Sequence, residues 1–312
     1  MIIGHQKQWQ FLKRSADRDR LAHAYLFLGQ AHLGKRKFAK DFVKFLNCRK
    51  KENPPCQACW ACKALEKEIH PDLIFIKPIG REIKISQIRQ LQKLLSLKPH
   101  SSPFKSVIID DAEKMNQEAQ SCLLKTLEEP QGATLLFLIA ERHQMLLFTI
   151  LSRVQRIKFF PVPKVEIEKK LKDQENSPKN LKTILAFSFG KPGLALEFLQ
   201  DPKKLDLECK RMKEIAKIAK EGLIPRFQYV KDILSREEKP EEILSGWAGY
   251  FRDILKVKMG LPSELAVITG PQSELPLAHI KKNIDNIEKI NFLISSTNIN
   301  VRLALEVLML KI

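Results

Sequence analysis

Short apolar runs separated by helical stripes dominate the first half of the chain, and this alternation restricts its fold more than any other feature. The five runs lie at 25–29, 73–76, 106–110, 134–140 and 154–160. Most of them show no alternation of polar and apolar residues, which is typical of strands buried on both faces of a sheet. Helical stripes lie between the runs, around Phe38 and Phe42, at 83–97 and at 115–127. Because parallel strands need long crossovers, this order predicts an α/β domain with a parallel sheet covered on both faces.

The second half of the chain has a different character. Beyond Pro161 and Pro163 no strand-like run remains, and apolar residues recur at helical spacing. A chain of 312 residues suggests about two domains, or three small ones. We expect an α/β domain over 1–162, a small helical domain over 163–205 that ends near the segment DPKK, and a helical domain over 206–312.

The charge balance favours a polyanionic partner. The chain has 54 Lys and Arg against 36 Asp and Glu, a net charge of +18. Aromatic residues make up 7% of the chain and do not interleave with basic runs, so a surface that reads bases by stacking is not indicated. No apolar run reaches the roughly 18 residues of a membrane span, and the N-terminal segment lacks a signal-peptide core. We therefore expect a cytoplasmic protein that does not contact a membrane.

A glycine-rich segment after the first apolar run matches the G-x-x-x-x-G-K pattern of a phosphate-binding loop. Gly29 and Gly34 bracket it and Lys35 follows, between a strand and a helix as the motif requires. Its backbone N–H groups would hold a polyphosphate, and Lys35 would reach the terminal phosphates. The next residue of an active loop is Ser or Thr, but here it is Arg36, whose guanidinium cannot ligate Mg²⁺. A plain strand-to-helix turn and weak nucleotide binding both stay open, ahead of hydrolysis.

Two acids end the third apolar run, where the metal-side partner of such a loop would lie. Asp110 would hold Mg²⁺ directly or through water, and Asp111 stands where a water-activating carboxylate would stand. The alternative is that both acids cap a helix N-terminus. Taken together, the glycine loop and the acids favour a nucleotide-binding ancestry.

Four cysteines fall within fifteen positions, at Cys48, Cys56, Cys59 and Cys62. Without an export signal these residues are expected to be thiols and not disulfides. Four thiolates at this spacing can close a tetrahedral zinc site, which we favour over buried free thiols. Because no ligand is missing, the predicted Zn²⁺ is structural and not catalytic. Two further cysteines, Cys122 and Cys209, lie on helical patterns and are expected to be ordinary core thiols.

Taken in order, the motifs of the first 160 residues resemble the AAA+ clamp-loader ATPase subunits of bacterial DNA polymerase III. Besides the glycine loop and the cysteine insert, the resemblance rests on HAYLFLG at 23–29, HPD at 70–72, IIDDAEKMN at 108–116, LLKTLEEP at 123–130 and TILSR at 149–153. It is detailed over 1–160 and weaker beyond. It implies an AAA+ P-loop-type α/β domain with a zinc module, a small helical lid over 163–205, and an all-α collar over 206–312 that joins a ring of subunits.

Three positions place the resemblance with the delta-prime type of subunit, which generally does not hydrolyse ATP. Arg36 replaces the magnesium-binding hydroxyl. Glu141 ends the fourth strand, where motor subunits have a threonine-type sensor, and Gly193 stands where they have an arginine that reads the γ-phosphate. The resemblance also implies that Arg153 is an arginine finger, which enters the nucleotide site of a neighbouring motor subunit. The usual Ser-Arg-Cys triplet ends here in Val154, which leaves the guanidinium in place.

The resemblance implies a stator that helps to load the sliding clamp onto primed DNA. Its partners would be motor ATPase subunits and a delta subunit in a heteropentameric ring, the clamp, and DNA through the assembly. The chain itself would not be catalytic, with a degenerate ATP and Mg²⁺ site, in a nucleoid-associated bacterial location. Two alternatives stay open: an active motor ATPase that uses Lys35, Asp110 and Asp111, and a zinc protein that binds nucleic acid alone.

Overall fold

Five parallel strands form one sheet, whose order is β2-β3-β4-β1-β5. The strands are β1 Ala24–Leu28, β2 Leu73–Ile76, β3 Lys105–Ile109, β4 Thr134–Ala140 and β5 Gln155–Lys158. Every residue of β1, β3 and β4 is buried, because these strands lie inside the sheet and a hydrophobic core covers each face. The prediction of an α/β fold with a parallel sheet is confirmed.

Helices cover both faces of the sheet. They are α1 Gln6–Asp17, α2 Lys35–Asn47, α3 Trp60–Glu66, α4 Ile85–Leu95, α5 Gln117–Glu128 and the short α6 Phe148–Leu151. Alternate residues of a strand enter opposite layers. Leu26 of β1 packs in a core with residues of α4 and α5, whereas Phe27 packs in another core with Phe38 and Phe42 of α2.

The computed structural model describes residues 2–50, 54–172, 180–236, 238–261, 275–297 and 299–312. The chain divides into two compact units. Unit 1 is Met1–Asp173 with Gly190–Leu194, and unit 2 is Gln174–Phe189 with Ala195–Ile312. The finer division into domains at 162 and 205 stays a prediction. Parts of the predicted lid and collar, at 173–179, 237, 262–274 and 298, lie outside the described residues.

Within the described ranges, every regular element after β5 is a helix. These helices are α7 Lys164–Lys172, α8 Leu181–Ser188, α9 Pro192–Gln200, α10 Pro202–Ile218, α11 Leu223–Ser235, α12 Pro240–Lys258, α13 Leu277–Ser296 and α14 Val301–Met309. Helix α12 buries an apolar stripe that includes Trp247 and Phe251. The DPKK segment starts α10, because the Asp201 side chain accepts a hydrogen bond from the Lys203 N–H and caps the helix. No helix in these ranges has the length and apolar character needed to cross a membrane.

Candidate functional site

The glycine loop connects β1 to α2 at the carboxyl end of the sheet. Gly29 follows β1 directly, and Gly34 is the N-cap of α2. Gly34 has a φ of +84°, in the left-handed region that favours glycine. Because β4 lies beside β1 and β3 beside β4, the residues that follow these three strands share one edge of the sheet. The structure therefore brings the predicted loop and the predicted acids together.

Lys35 points into the loop. Its side chain is only 6% exposed, and its Nζ donates to the carbonyl oxygens of Gln30, at 2.8 Å, and of Gly29. Burial lowers the pKa of Lys35, and nearby carboxylates oppose that shift. These carboxylates belong to Glu141, Glu113, Asp110 and Asp111. The ammonium group thus binds the loop's own carbonyl oxygens in the place where it would otherwise meet a phosphate.

Asp110 and Asp111 differ in their surroundings. Burial and the charge of Asp111 raise the pKa of Asp110, against the opposing effect of Arg36. The carboxylate of Asp111 is half exposed and lies 2.8 Å from the Nζ of Lys114. Asp111 precedes the 3₁₀ turn Ala112–Lys114, but its side chain makes no capping hydrogen bond. The alternative in which this acid caps a helix is therefore not supported for Asp111.

A third acid, Glu113, follows β3 and forms a hydrogen bond with the residue that follows β4. Its Oε1 accepts a hydrogen bond from the backbone N–H of Glu141 at 2.9 Å. Burial raises the pKa of Glu113. No role was expected for Glu113 from the sequence, although it lies in the same IIDDAEKMN segment as the two predicted acids.

Arg36 places a cation beside the predicted metal-binding acid. Its Nη1 lies 3.8 Å from Oδ2 of Asp110, and its Nη2 lies 2.7 Å from Oε1 of Glu68. The guanidinium carbon also lies 4.2 Å from the ring centroid of Phe75, a cation–π contact. A guanidinium has donors and no acceptor, so this group can neutralise Asp110 but cannot bind a metal ion.

Gly193 touches the glycine loop through its backbone. Its N–H donates to the carbonyl oxygen of His32 at 2.7 Å. A Cβ at position 193 would lie 2.7 Å from that oxygen and 3.1 Å from the Cα of His32. Both residues belong to unit 1. The contact leaves no room for a side chain, which gives a structural reason for glycine at this position.

The four clustered cysteines form a candidate metal centre. The Sγ atoms of Cys48, Cys56, Cys59 and Cys62 all lie within 4.8 Å of one another. A tetrahedral zinc with bonds of about 2.3 Å separates its sulfur ligands by about 3.8 Å, so the cluster fits this ion.

Backbone donors in the cysteine loop favour thiolates. The N–H of Cys56 lies 3.3 Å from the Sγ of Cys48, and the N–H of Cys59 lies 3.3 Å from the Sγ of Cys56. Hydrogen bonds from the N–H groups of Cys59 and Ala58 lower the pKa of Cys56 to about 6. The other two cysteines, Cys122 and Cys209, lie outside the cluster and are half-buried free thiols.

Arg153 lies on the surface just after α6. Its Nη2 is 2.7 Å from Oε1 of Glu128, the last residue of α5. Its Nη1 donates to the carbonyl oxygen of Thr149 at 3.0 Å and to the hydroxyl of Ser152 at 3.3 Å. With 36% of its side chain exposed, the guanidinium is accessible to another molecule.

Sequence reasoning missed the acidic partners of the two arginines. Glu68 pairs with Arg36 and Glu128 pairs with Arg153, and in both pairs the partners are far apart in the sequence. Only one signal was available, the spacing of four between Arg36, Lys40 and Lys44, which sets a basic stripe on one face of α2.

The parallel five-stranded sheet, with the glycine loop after β1 and the acids after β3, is the α/β arrangement that the sequence resemblance implies. A solved structure shares this fold: a DNA polymerase III gamma subunit-related protein from Thermotoga maritima aligns with a TM-score of 0.51 and 19% identity, over 97% of both chains.

Sequence comparison identifies the family. The family described as DNA polymerase III, delta subunit, matches residues 4–163. The delta' subunit of DNA polymerase III from Bacillus subtilis strain 168 is 33% identical over 260 residues, which is 82% of this chain and 78% of that protein. The tau subunit from the same strain is 25% identical over 342 residues, covering 100% of this chain and 60% of that protein. The chain belongs to the delta-prime family of DNA polymerase III clamp-loader subunits.

Proposed function

We propose that the chain acts as the stator of a clamp-loader ring. It assembles with motor ATPase subunits and a delta subunit, and it helps to load the sliding clamp onto primed DNA without hydrolysing ATP itself. Membership of the delta-prime family supports this proposal. The observation that carries it is the position of Arg36, whose guanidinium lies beside Asp110, where an active site would need a metal ion.

Further features of the loop support a degenerate nucleotide site at Gly29, Gly34, Lys35, Asp110 and Asp111. The Lys35 ammonium binds the carbonyl oxygens of its own loop, and the loop backbone meets the backbone of helix α9. A motor subunit also needs a metal-binding hydroxyl and an arginine for the γ-phosphate. At these two positions the chain has Arg36 and Gly193.

Arg153 would act in trans, as an arginine finger for the neighbouring motor subunit. A guanidinium that reaches a transferring phosphoryl group stabilises the charge that spreads over its oxygens, and such arginines accelerate hydrolysis by about 10³–10⁵-fold. The surface position of Arg153 suits this role, because its partners are a half-exposed carboxylate, a backbone carbonyl and a hydroxyl. A more highly charged triphosphate can replace all three.

The cysteine cluster would hold a structural Zn²⁺ through Cys48, Cys56, Cys59 and Cys62. The donor set and the backbone N–H groups directed at the sulfurs support this assignment. The ion would supply a fixed cross-link between the end of α2 and the start of α3. The helices over 163–205 and 206–312 would serve as lid and collar. The first domain of this basic chain would lie near the DNA backbone without reading its sequence.

The direct test is the ATPase activity of a reconstituted clamp loader that contains Arg153→Ala. We expect the site of the neighbouring motor subunit to lose about 10³-fold or more of its turnover, so the total rate falls by that site's share. The variant is expected to assemble into the complex as the parent chain does, which gel filtration measures. Arg156→Ala is the matched control, because Arg156 is an exposed arginine on β5. Unchanged ATPase activity with Arg153→Ala removes the arginine-finger role, and ATP turnover by the isolated chain would establish the motor alternative.

A further inference from the structure

The segment from Cys48 to the end of α3, which contains the four clustered cysteines, is here called the cysteine module. A basic stripe on α2 faces the acidic end of this module. Arg36, Lys40 and Lys44 are spaced by four residues, so they lie on one face of the helix. Opposite them lie Glu66, which ends α3, and Glu68, two residues further on. We refer to these five residues as the module clamp.

Several hydrogen bonds and ion pairs join the two sides of the module clamp. Oε1 of Glu68 accepts from Nη2 of Arg36 at 2.7 Å and from Nζ of Lys40 at 3.1 Å. The same Nζ donates to the backbone carbonyl oxygen of Glu66 at 2.9 Å. The ammonium of Lys44 pairs with the carboxylate of Glu66 and, at 3.0 Å, with that of Asp41. Each cation of the stripe therefore has a partner at the end of α3.

The two lysines of the stripe are largely buried, whereas Arg36 is 45% exposed and its partner Glu68 is 30% exposed. The side chain of Lys44 is 5% exposed and that of Lys40 is 15% exposed. An exposed ion pair contributes little to stability, whereas a buried charge that loses its partner is strongly unfavourable. If the end of α3 moved away, Lys40 would lose the Glu68 carboxylate and the Glu66 carbonyl, while Lys44 would keep Asp41. The outer face of α2 thus depends on the position of the module.

The backbone at Glu68 indicates that its side chain has a specific role. Glu68 lies just beyond the C-cap of α3 with a φ of +59°, in the left-handed region. Glycine is the usual residue at this point of a helix end, and other residues adopt this conformation rarely. A glutamate here fits a side chain whose contacts with Arg36 and Lys40 offset the unfavourable backbone.

The position of α3 has two supports: Leu65 packs in the core that also holds residues of α2, and two of the clustered cysteines belong to this segment. A helix of seven residues is not stable alone, and Cys59 precedes this one while Cys62 lies inside it. A metal ion bound by the four thiolates would fix α3, and with it Glu66 and Glu68. At the other end of the clamp, Arg36 lies against Asp110 and Phe75 at the glycine loop.

We propose that Glu68 is a positioning residue that couples metal occupancy of the cysteine cluster to the glycine loop, by holding the Arg36 guanidinium against Asp110. The inference rests on the proposed zinc site and is independent of the proposed arginine finger. It gives the cysteine module a task beyond its own stability: the module keeps a cation fixed at the magnesium position of the degenerate site.

Hydrogen exchange of the full chain, followed by mass spectrometry with and without zinc, tests this coupling. Removing zinc with a chelator is expected to raise exchange within the module and also, by about tenfold, at the amides of 38–44 in α2. Zinc-loaded Glu68→Gln is expected to show faster exchange at 38–44 than zinc-loaded Glu129→Gln. Glu129 is the matched control, because it is an exposed glutamate outside the clamp.

Two results would overturn the proposal. One is faster exchange confined to the module when zinc is removed. The other is equal exchange at 38–44 in the two glutamine variants, a comparison that holds even if the zinc-free chain unfolds. Metal analysis of the same samples separates the two hypotheses, since absence of zinc refutes the zinc site, whereas equal exchange with zinc present refutes the coupling.

Discussion

Replacing Gly193 by alanine tests whether the contact between α9 and the glycine loop is a structural requirement. The added Cβ would lie 2.7 Å from the carbonyl oxygen of His32 and 3.1 Å from its Cα. Both neighbours are backbone atoms, which cannot rotate away as a flexible side chain would. Either the start of α9 or the loop must shift, and the hydrogen bond between the Gly193 N–H and that oxygen must lengthen.

The size of the effect follows from three contributions. Overpacking against fixed atoms costs about 1–3 kcal/mol, and a weakened hydrogen bond costs about 0.5–1.5 kcal/mol. Alanine recovers roughly 0.5–1 kcal/mol in a helix relative to glycine. We therefore expect Gly193→Ala to lower the free energy of unfolding of unit 1 by about 1–3 kcal/mol, or its Tm by roughly 3–10 °C.

Differential scanning calorimetry of the purified chain measures this change. The control is Gly222→Ala, since a Cβ there would have no atom within 4 Å and Gly222 has an ordinary φ of −71°. This control should stay within about 1 kcal/mol of the parent chain, the cost of a poorer N-cap. A Gly193→Ala variant as stable as the parent would refute the close contact and its explanation of the glycine.

Two further predictions concern the metal centre and the loop that precedes β3. The purified chain is expected to retain about one zinc ion, and Cys62→Ser to retain much less, as measured by plasma mass spectrometry; a parent chain without zinc contradicts the site. Burial works to raise the pKa of Asp72, but backbone N–H groups of His100, Ser101 and Ser102 outweigh it and lower the pKa. Asp72→Asn should thus cost roughly 1–3 kcal/mol at pH 7. A carboxylate whose pKa is lowered in the folded state stabilises the fold at pH values above its pKa in the unfolded chain, about 3.9. It loses that effect as the pH falls through its pKa in the folded chain. Urea denaturation measures the free energy of unfolding of the parent chain and of Asp72→Asn. The difference between the two should be smaller at pH 3 than at pH 7, and an equal difference at both pH values speaks against this account.

The sheet could be predicted because its strands are buried on both faces. The apolar run predicted at 134–140 matches β4 residue for residue, since a central strand covered on both faces is mostly apolar. The helix predicted at 115–127 instead starts at Gln117, because the side chain of Asn116 accepts a hydrogen bond from the Ala119 N–H and caps it. Helix α1 was missed because its composition is mostly polar and only Leu12 is fully buried.

The candidate sites differ in how far apart their residues lie in the sequence. The glycine loop and the four cysteines are local in sequence, so spacing alone reveals them. The acids that hold Arg36 and Arg153 come from other elements, and only the fold brings them near. Sequence reasoning could say that Arg36 cannot bind magnesium, but it could not show that the guanidinium contacts Glu68, Phe75 and Asp110.

The strand order has a consequence for how the protein can associate. An uncovered edge strand offers free backbone groups to which another chain can add a strand, and natural sheets block such edges with short strands and charge. Both edges of this sheet are protected in that way. Strand β5 has four residues and exposes Arg156 and Lys158, and β2 is also only four residues long. Sheet extension and the aggregation that follows from it are disfavoured, so this unit should meet its neighbours through helices and loops.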